Sequence, residues 1–127
     1  MIDAFLSVSK IHGIGLFAGR EIKSGEVVWE FNKLLDLKFS EEEFDRLPLS
    51  AKRQFLHYCY HSKDHNYILC FDDARFLNHS DNPNLLTDDT AEGAVFAIKD
   101  IHKGEELTTN YNKFDVDYEK KMKNSFF

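Results

Sequence analysis

Three features of the sequence predict a β-rich α+β fold. Short β-branched and aromatic runs alternate with turn residues, one stretch at residues 40–61 carries helix signals, and no other segment has sustained helical periodicity. At the N-terminus, Gly13 and Gly15 punctuate an extended segment, and Ser24-Gly25 marks a tight turn before the run Val27, Val28, Trp29. Such a run suits a buried strand. Ser40-Glu41-Glu42-Glu43 is a capping box, with Phe44 and Leu47 following at helical spacing. Pro48 ends or offsets that helix, and Ser50 opens a second helical run through Phe55, Leu56 and about Tyr58. Strands are predicted at Tyr67–Phe71, Ala94–Ile98 and Glu106–Tyr111, with a short helical turn near Asp73–Leu77. A charged tail, 116–127, ends on Phe126-Phe127.

The 127 residues predict a single domain spanning 1–127. With 43% hydrophobic and 14% aromatic residues, the chain can bury a core. Its apolar runs are far shorter than the about 20 residues of a bilayer span, and the N-terminus lacks the basic and apolar blocks of a secretory signal. Two cysteines, Cys59 and Cys70, cannot form a disulfide framework and predict a reduced compartment, cytoplasmic, or nuclear in a eukaryotic or viral setting. The net charge of −6 divides into −1 for residues 1–64 and −5 for residues 65–127. An acidic surface repels nucleic acid and membrane phosphates and attracts a Lys/Arg-rich partner. The same charge also serves solubility alone.

Three segments carry chemistry. His12-Gly13-Ile14-Gly15-Leu16-Phe17 lets the backbone approach a ligand, although a glycine-rich β-turn accounts for it equally well. Gly19 misses the dinucleotide spacing and no helix follows, which argues against a Rossmann site. Arg75-Phe76-Leu77-Asn78-His79-Ser80-Asp81-Asn82-Pro83-Asn84 places polar side chains directly after an apolar pair, where the chain leaves the core. Gly104-Glu105-Glu106-Leu107-Thr108-Thr109-Asn110-Tyr111 runs from a turn into a strand that ends on a tyrosine.

In this order, the segments resemble the SET-domain family of protein-lysine methyltransferases, from about Leu6 to Tyr111. GIGLFA is similar to the family's glycine motif, RFLNHSDNPN to its RF[IL]NHSCxPN signature, and GEELTTNY to its GEEL[TF]xDY signature. Asp81 replaces the usual Cys, Asn110 the usual Asp, and Thr109 an aromatic of the lysine channel. No Cys follows Cys70, so the family's zinc-binding post-SET segment has no counterpart. Closure of the site then falls to Phe114, Tyr118, Phe126 or Phe127, in a segment of about 112–127.

The resemblance implies small curved sheets around a C-terminal pseudoknot, with the helical insert at about 40–61 forming a peptide wall. It implies S-adenosylmethionine, released as S-adenosylhomocysteine, against Gly13, Ile14, Gly15, Leu16, Arg75, Asn78, His79 and Tyr111, with Tyr111 catalytic. Tyr58, Tyr60 and Thr109 are candidate channel residues, and a basic lysine-containing protein is the implied substrate. A non-catalytic peptide-binding or assembly module, including a homodimer, is the alternative.

No metal is expected. His57, His61 and His65 recur every four residues around Cys59, but the turn Lys63-Asp64-His65-Asn66 breaks the helix face they would share. Asp72, Asp73, Asp88 and Asp89 lack the spacing of a calcium loop.

Overall fold

The computed structural model describes residues 1–88, 93–113 and 115. The first thirty residues supply three strands: β1 (Ala4–Val8), β2 (Ile14–Ala18) and β3 (Val27–Trp29). β1 and β2 form an antiparallel hairpin with Val8 opposite Ile14. At its tip the Ser9 hydroxyl accepts the amides of Ile11 and His12 at 2.9 and 3.2 Å. A fourth strand, β4 (Leu37–Ser40), has no counterpart in the sequence reading.

The Ser40 capping box forms as predicted. The Glu43 amide donates to the Ser40 hydroxyl at 3.1 Å, and the Ser40 amide to the Glu43 carboxylate at 3.0 Å. It starts α1 (Glu41–Asp45), whose Phe44 is buried. Pro48 offsets the chain into α2 (Leu49–Tyr58), one residue earlier than Ser50. Helix α2 stops at Cys59, whose backbone is extended, so the last residues of the expected insert form strand β5 (Tyr60–His61) instead.

β6 (Asn66–Leu69) lies between β4 and β5 in a three-stranded antiparallel sheet. A 3₁₀ turn follows at Asp73–Phe76, where the Ala74 amide donates to the Asp72 carboxylate at 2.9 Å. Then come β7 (Asn78–His79), β8 (Leu85–Thr87) and β9 (Val95–Ala97). β9 pairs antiparallel with both β3 and β8. β10 is only Thr108–Thr109, and a second 3₁₀ turn covers Tyr111–Lys113.

β10 pairs in parallel with β7, Thr108 opposite Asn78 and Thr109 opposite His79. Two stretches thirty residues apart are thereby fixed side by side. The sheets close on one core that includes Leu16, Ile22, Val28, Trp29, Ile68, Leu85, Ile101 and Leu107. Among the described residues, no helix is long and apolar enough to cross a membrane. Phe114, Tyr118, Phe126 and Phe127 lie outside the described residues, as does most of the expected closing segment.

Candidate active site

A cavity of about 590 Å³ gathers residues from every signature segment. His12, Gly13 and Ile14 contribute from the hairpin tip, Arg75 to His79 from the polar segment, and Tyr111 from the end of the third. Trp29, Tyr58, Tyr60, Cys70 and Asp115 complete the functional part of the lining. The volume suits a cofactor-sized ligand.

The glycine loop is held from below. Asn78 Nδ2 donates to the His12 and Ile14 carbonyls at 3.0 and 3.3 Å and to Glu106 Oε2 at 3.0 Å. Glu106 also accepts the Ser9 hydroxyl at 2.8 and 2.9 Å. One carboxylate therefore ties the hairpin tip to the Asn78 segment. Gly13 has a φ of +48°, and a Cβ there would meet no atom within 4 Å, so the loop backbone faces open space.

Gly15 and Leu16 of the expected cofactor set lie outside this cavity. A Cβ on Gly15 would lie 2.5 Å from Glu106 Oε2, so this glycine makes room for the clip. Leu16 is fully buried in the core: it shares a face of β2 with Ile14 but lies further from the open hairpin tip.

His79 and Tyr111 are joined directly. The Tyr111 amide donates to His79 Nδ1 at 3.2 Å, which leaves the ring proton on Nε2 to donate to Asp81 Oδ1 at 2.8 Å. Asp81 thus orients His79 here. Asn84 fastens the loop to β10: it accepts the Thr108 amide at 2.9 Å and donates to the Glu106 carbonyl at 2.8 Å.

The Tyr111 hydroxyl donates to the Leu77 carbonyl at 2.6 Å. Its only proton is thereby engaged, so toward any further donor this oxygen acts as an acceptor. Burial pushes the Tyr111 phenol well above its ordinary 10.0, with Cys70 and Asp115 adding to the effect. The Tyr60 phenol is raised likewise, first by burial. Burial thus favours the neutral phenol at both positions.

Tyr58 and Tyr60 both reach the cavity because α2 ends between them. Arg75 lies over the rings of Tyr58 and Phe76, 5.4 and 5.2 Å from their centroids. Thr109, an expected channel residue, lies apart from this cavity as well. It lines a separate cavity of about 200 Å³, and its hydroxyl meets Thr87 at 3.3 Å. A strand continuing to Tyr111 would put residues 109 and 111 on one face. The strand instead stops at Thr109, and the 3₁₀ turn at Tyr111 breaks the alternation.

Sequence reasoning passed over Ser9, Glu106, Asn84, Trp29 and Asp115. Glu106 and Asn84 stood inside the quoted signatures, and Trp29 was the single tryptophan in a predicted buried strand. Nothing in the sequence marked Asp115. It is buried, lines the cavity and accepts the His61 amide at 3.2 Å. The Trp29 indole N–H is buried without a partner among the described residues.

A SET-domain family model matches residues 13–112. The chain belongs to the SET-domain family. It is 29% identical over 123 residues to the histone-lysine N-methyltransferase trr of Drosophila melanogaster, covering 92% of this chain and 5% of the relative. It is 31% identical over 124 residues to human histone-lysine N-methyltransferase 2B, covering 86% and 4%. This SET domain therefore corresponds to a small part of those proteins. Among solved structures, the Neurospora histone lysine methyltransferase DIM-5 superposes with a TM-score of 0.62 at 25% identity, over 87% of this chain and 52% of that one. The Chaetomium thermophilum Polycomb Repressive Complex 2 bound to S-adenosylmethionine gives a TM-score of 0.69 at 24% identity, over 98% and 17%. The β-rich SET fold is common to them.

Proposed function

We propose that this SET domain is an S-adenosylmethionine-dependent methyltransferase of protein lysine side chains. The observation that carries the reading is the single cavity shared by the glycine loop, Asn78-His79 and Tyr111. The histone-lysine activity named for trr and for human 2B supports the same class.

The residues present fit the cofactor. The open backbone at Gly13 admits close approach, and the Arg75–Tyr58–Phe76 group offers flat surfaces to a ring. S-adenosylmethionine, when bound, supplies an electrophilic methyl group on a sulfonium whose positive charge favours a neutral neighbouring amine.

The protein's part is positioning. A lysine has an ordinary pKa of about 10.4 and attacks only when neutral. The Asp115 carboxylate gives the cavity a negative group to draw the ammonium in. Burial favours the neutral phenol at Tyr60 and Tyr111, so the lysine proton leaves to water. Tyr111, its hydrogen committed to Leu77, accepts from the amine with its lone pairs and fixes the line of attack. Tyr60 supplies an aromatic wall.

The test is methyl transfer from labelled S-adenosylmethionine to core histones and other lysine-containing proteins, wild type against Tyr111→Phe, with cofactor affinity measured in parallel. The variant keeps the ring and loses the hydroxyl. Turnover is expected to fall by about 10²–10³, with affinity little changed. Cofactor binding by the wild type without transfer to any lysine would favour the non-catalytic alternative.

A further inference from the structure

The three histidines spaced four residues apart do not form a ladder. His57 lines the large cavity. His61 lies in β5 and His65 in the following turn, and both point to Glu41 at the start of α1. Glu41 Oε1 is 2.9 Å from His61 Nε2 and 3.3 Å from His65 Nδ1, and one ligand atom from each residue lies within 4.8 Å of the others.

We propose that Glu41, His61 and His65 form a binding site for a divalent transition ion, zinc in the first instance, with water completing the coordination. Two imidazoles and a carboxylate are the donor set such an ion takes, leaving room for solvent. Ligand atoms on a tetrahedral ion with bonds of about 2.0–2.2 Å lie roughly 3.4 Å apart. The two Glu41 separations, 2.9 and 3.3 Å, lie close to that value, and the two imidazoles, whose ligand atoms are within 4.8 Å, reach it by side-chain rotation.

Two observations independent of the distances support a built site. First, the ligands are held from behind. His61 is buried, and its ring stacks on Tyr67 at 4.2 Å and 10°; Tyr67 stacks on Phe44 at 4.0 Å and 17°. Glu41 follows the Ser40 capping box directly. Second, His65 has a φ of +67°, the only positive-φ residue other than glycine among the described residues. Asn or Gly adopts that conformation more readily. The turn is closed by the Ser62 and His65 amides, which donate to the Asn66 and Ser62 carbonyls at 2.8 and 3.0 Å. It keeps a histidine where a better turn former fits, and that histidine faces two other ligands.

An ion here would fasten α1 to β5 and the turn beyond it. β5 also carries Tyr60, so the tether would brace one wall of the large cavity from outside it. Neither the cofactor nor catalysis enters this proposal, and its test does not read activity.

The experiment is calorimetric titration of tag-free, chelator-treated protein with zinc chloride, paralleled by visible absorption of bound Co²⁺. One ion per chain is expected, with a rise in melting temperature. His65→Asn suits the positive φ, so it keeps the turn while removing a ligand. It and Glu41→Gln are expected to weaken zinc binding at least about tenfold, whereas His57→Ala leaves it unchanged. Zinc binding that survives both ligand substitutions overturns the proposal. So does wild-type protein that takes up no zinc at micromolar free ion, which would leave the trio a hydrogen-bonded cluster only.

Discussion

Gly15→Ala isolates the clip beneath the glycine loop. No positive φ requires glycine at this position, so the cost of a side chain is steric and local. The new Cβ would lie 2.5 Å from Glu106 Oε2, 2.9 Å from its Cδ and 3.1 Å from Asn78 Nδ2. The carboxylate must withdraw by about 1 Å to recover van der Waals separation. That displacement breaks its bonds to Ser9 and Asn78, now 2.8–3.0 Å. A hydrogen bond to a charged group contributes about 1.5–3 kcal/mol. Glu106 is only partly screened from solvent and regains water, so the lower end applies to each partner. Less stiffness in the unfolded glycine chain returns about 0.5 kcal/mol. The net loss is about 2–3 kcal/mol. Urea unfolding would show it as a midpoint lowered by about 1–2 M at unchanged slope. The decisive arm is a double-mutant cycle with Glu106→Ala, which removes the group the Cβ strikes. In that background Gly15→Ala is expected to cost nothing, giving a coupling of about 2–3 kcal/mol. Additivity within about 0.5 kcal/mol would refute the argument, since the two residues would then act independently.

Two further outcomes follow from the same geometry. Thr109→Phe, which on the sequence alone narrows the lysine channel, is expected to destabilise the fold by about 1–3 kcal/mol by overpacking against Thr87; a folded variant with wild-type stability but fewer methyl groups per lysine would return Thr109 to the channel. Stability is expected to fall at high pH. Tyr60, Tyr111 and Cys70 all have raised folded-state pKa values, so above about pH 9 the unfolded chain binds fewer protons than the native one, and each group costs up to about 1.4 kcal/mol per pH unit beyond its ordinary pKa; urea unfolding from pH 8 to 10.5 that shows no decline, or a decline equal in Tyr60→Phe, would contradict it.

What the sequence disclosed was mostly local chemistry. Ser40 and Glu43 announce a helix start because both bonds of the capping box lie within four residues. The turn at Asp73–Phe76 and the strand at Val27–Trp29 are likewise short-range events. β4 stayed hidden because Leu37 and Lys38 are exposed and owe their extended form to pairing with Leu69 and Ile68, some thirty residues away. The direction of Thr109 is hidden for a related reason: it depends on where β10 stops, and that is set by the two-residue pairing with β7. The convergence of His61 and His65 on Glu41 needs the end of α2, the β5–β6 turn and the start of α1 together. A spacing of four residues hints at a helix face and conceals it.

The site's polar bonds also explain how three segments far apart in sequence become one. Ser9 to Glu106 to Asn78 to the His12 and Ile14 carbonyls is a continuous chain from β1 through the third segment to the glycine loop. Asn84 to Thr108 and His79 to the Tyr111 amide fix the same short β10 on its other flank. A parallel pair of two residues is a weak element by itself. Here side chains on both flanks reinforce it, and two of them, Asn78 and His79, also place cavity residues. The loop that faces open space at Gly13 and the tyrosine that lines the cavity are thus set by one hydrogen-bonded frame. A polar substitution in that frame is expected to disturb both ends of the site together, whereas Tyr111→Phe, which leaves every backbone bond of the frame in place, disturbs one.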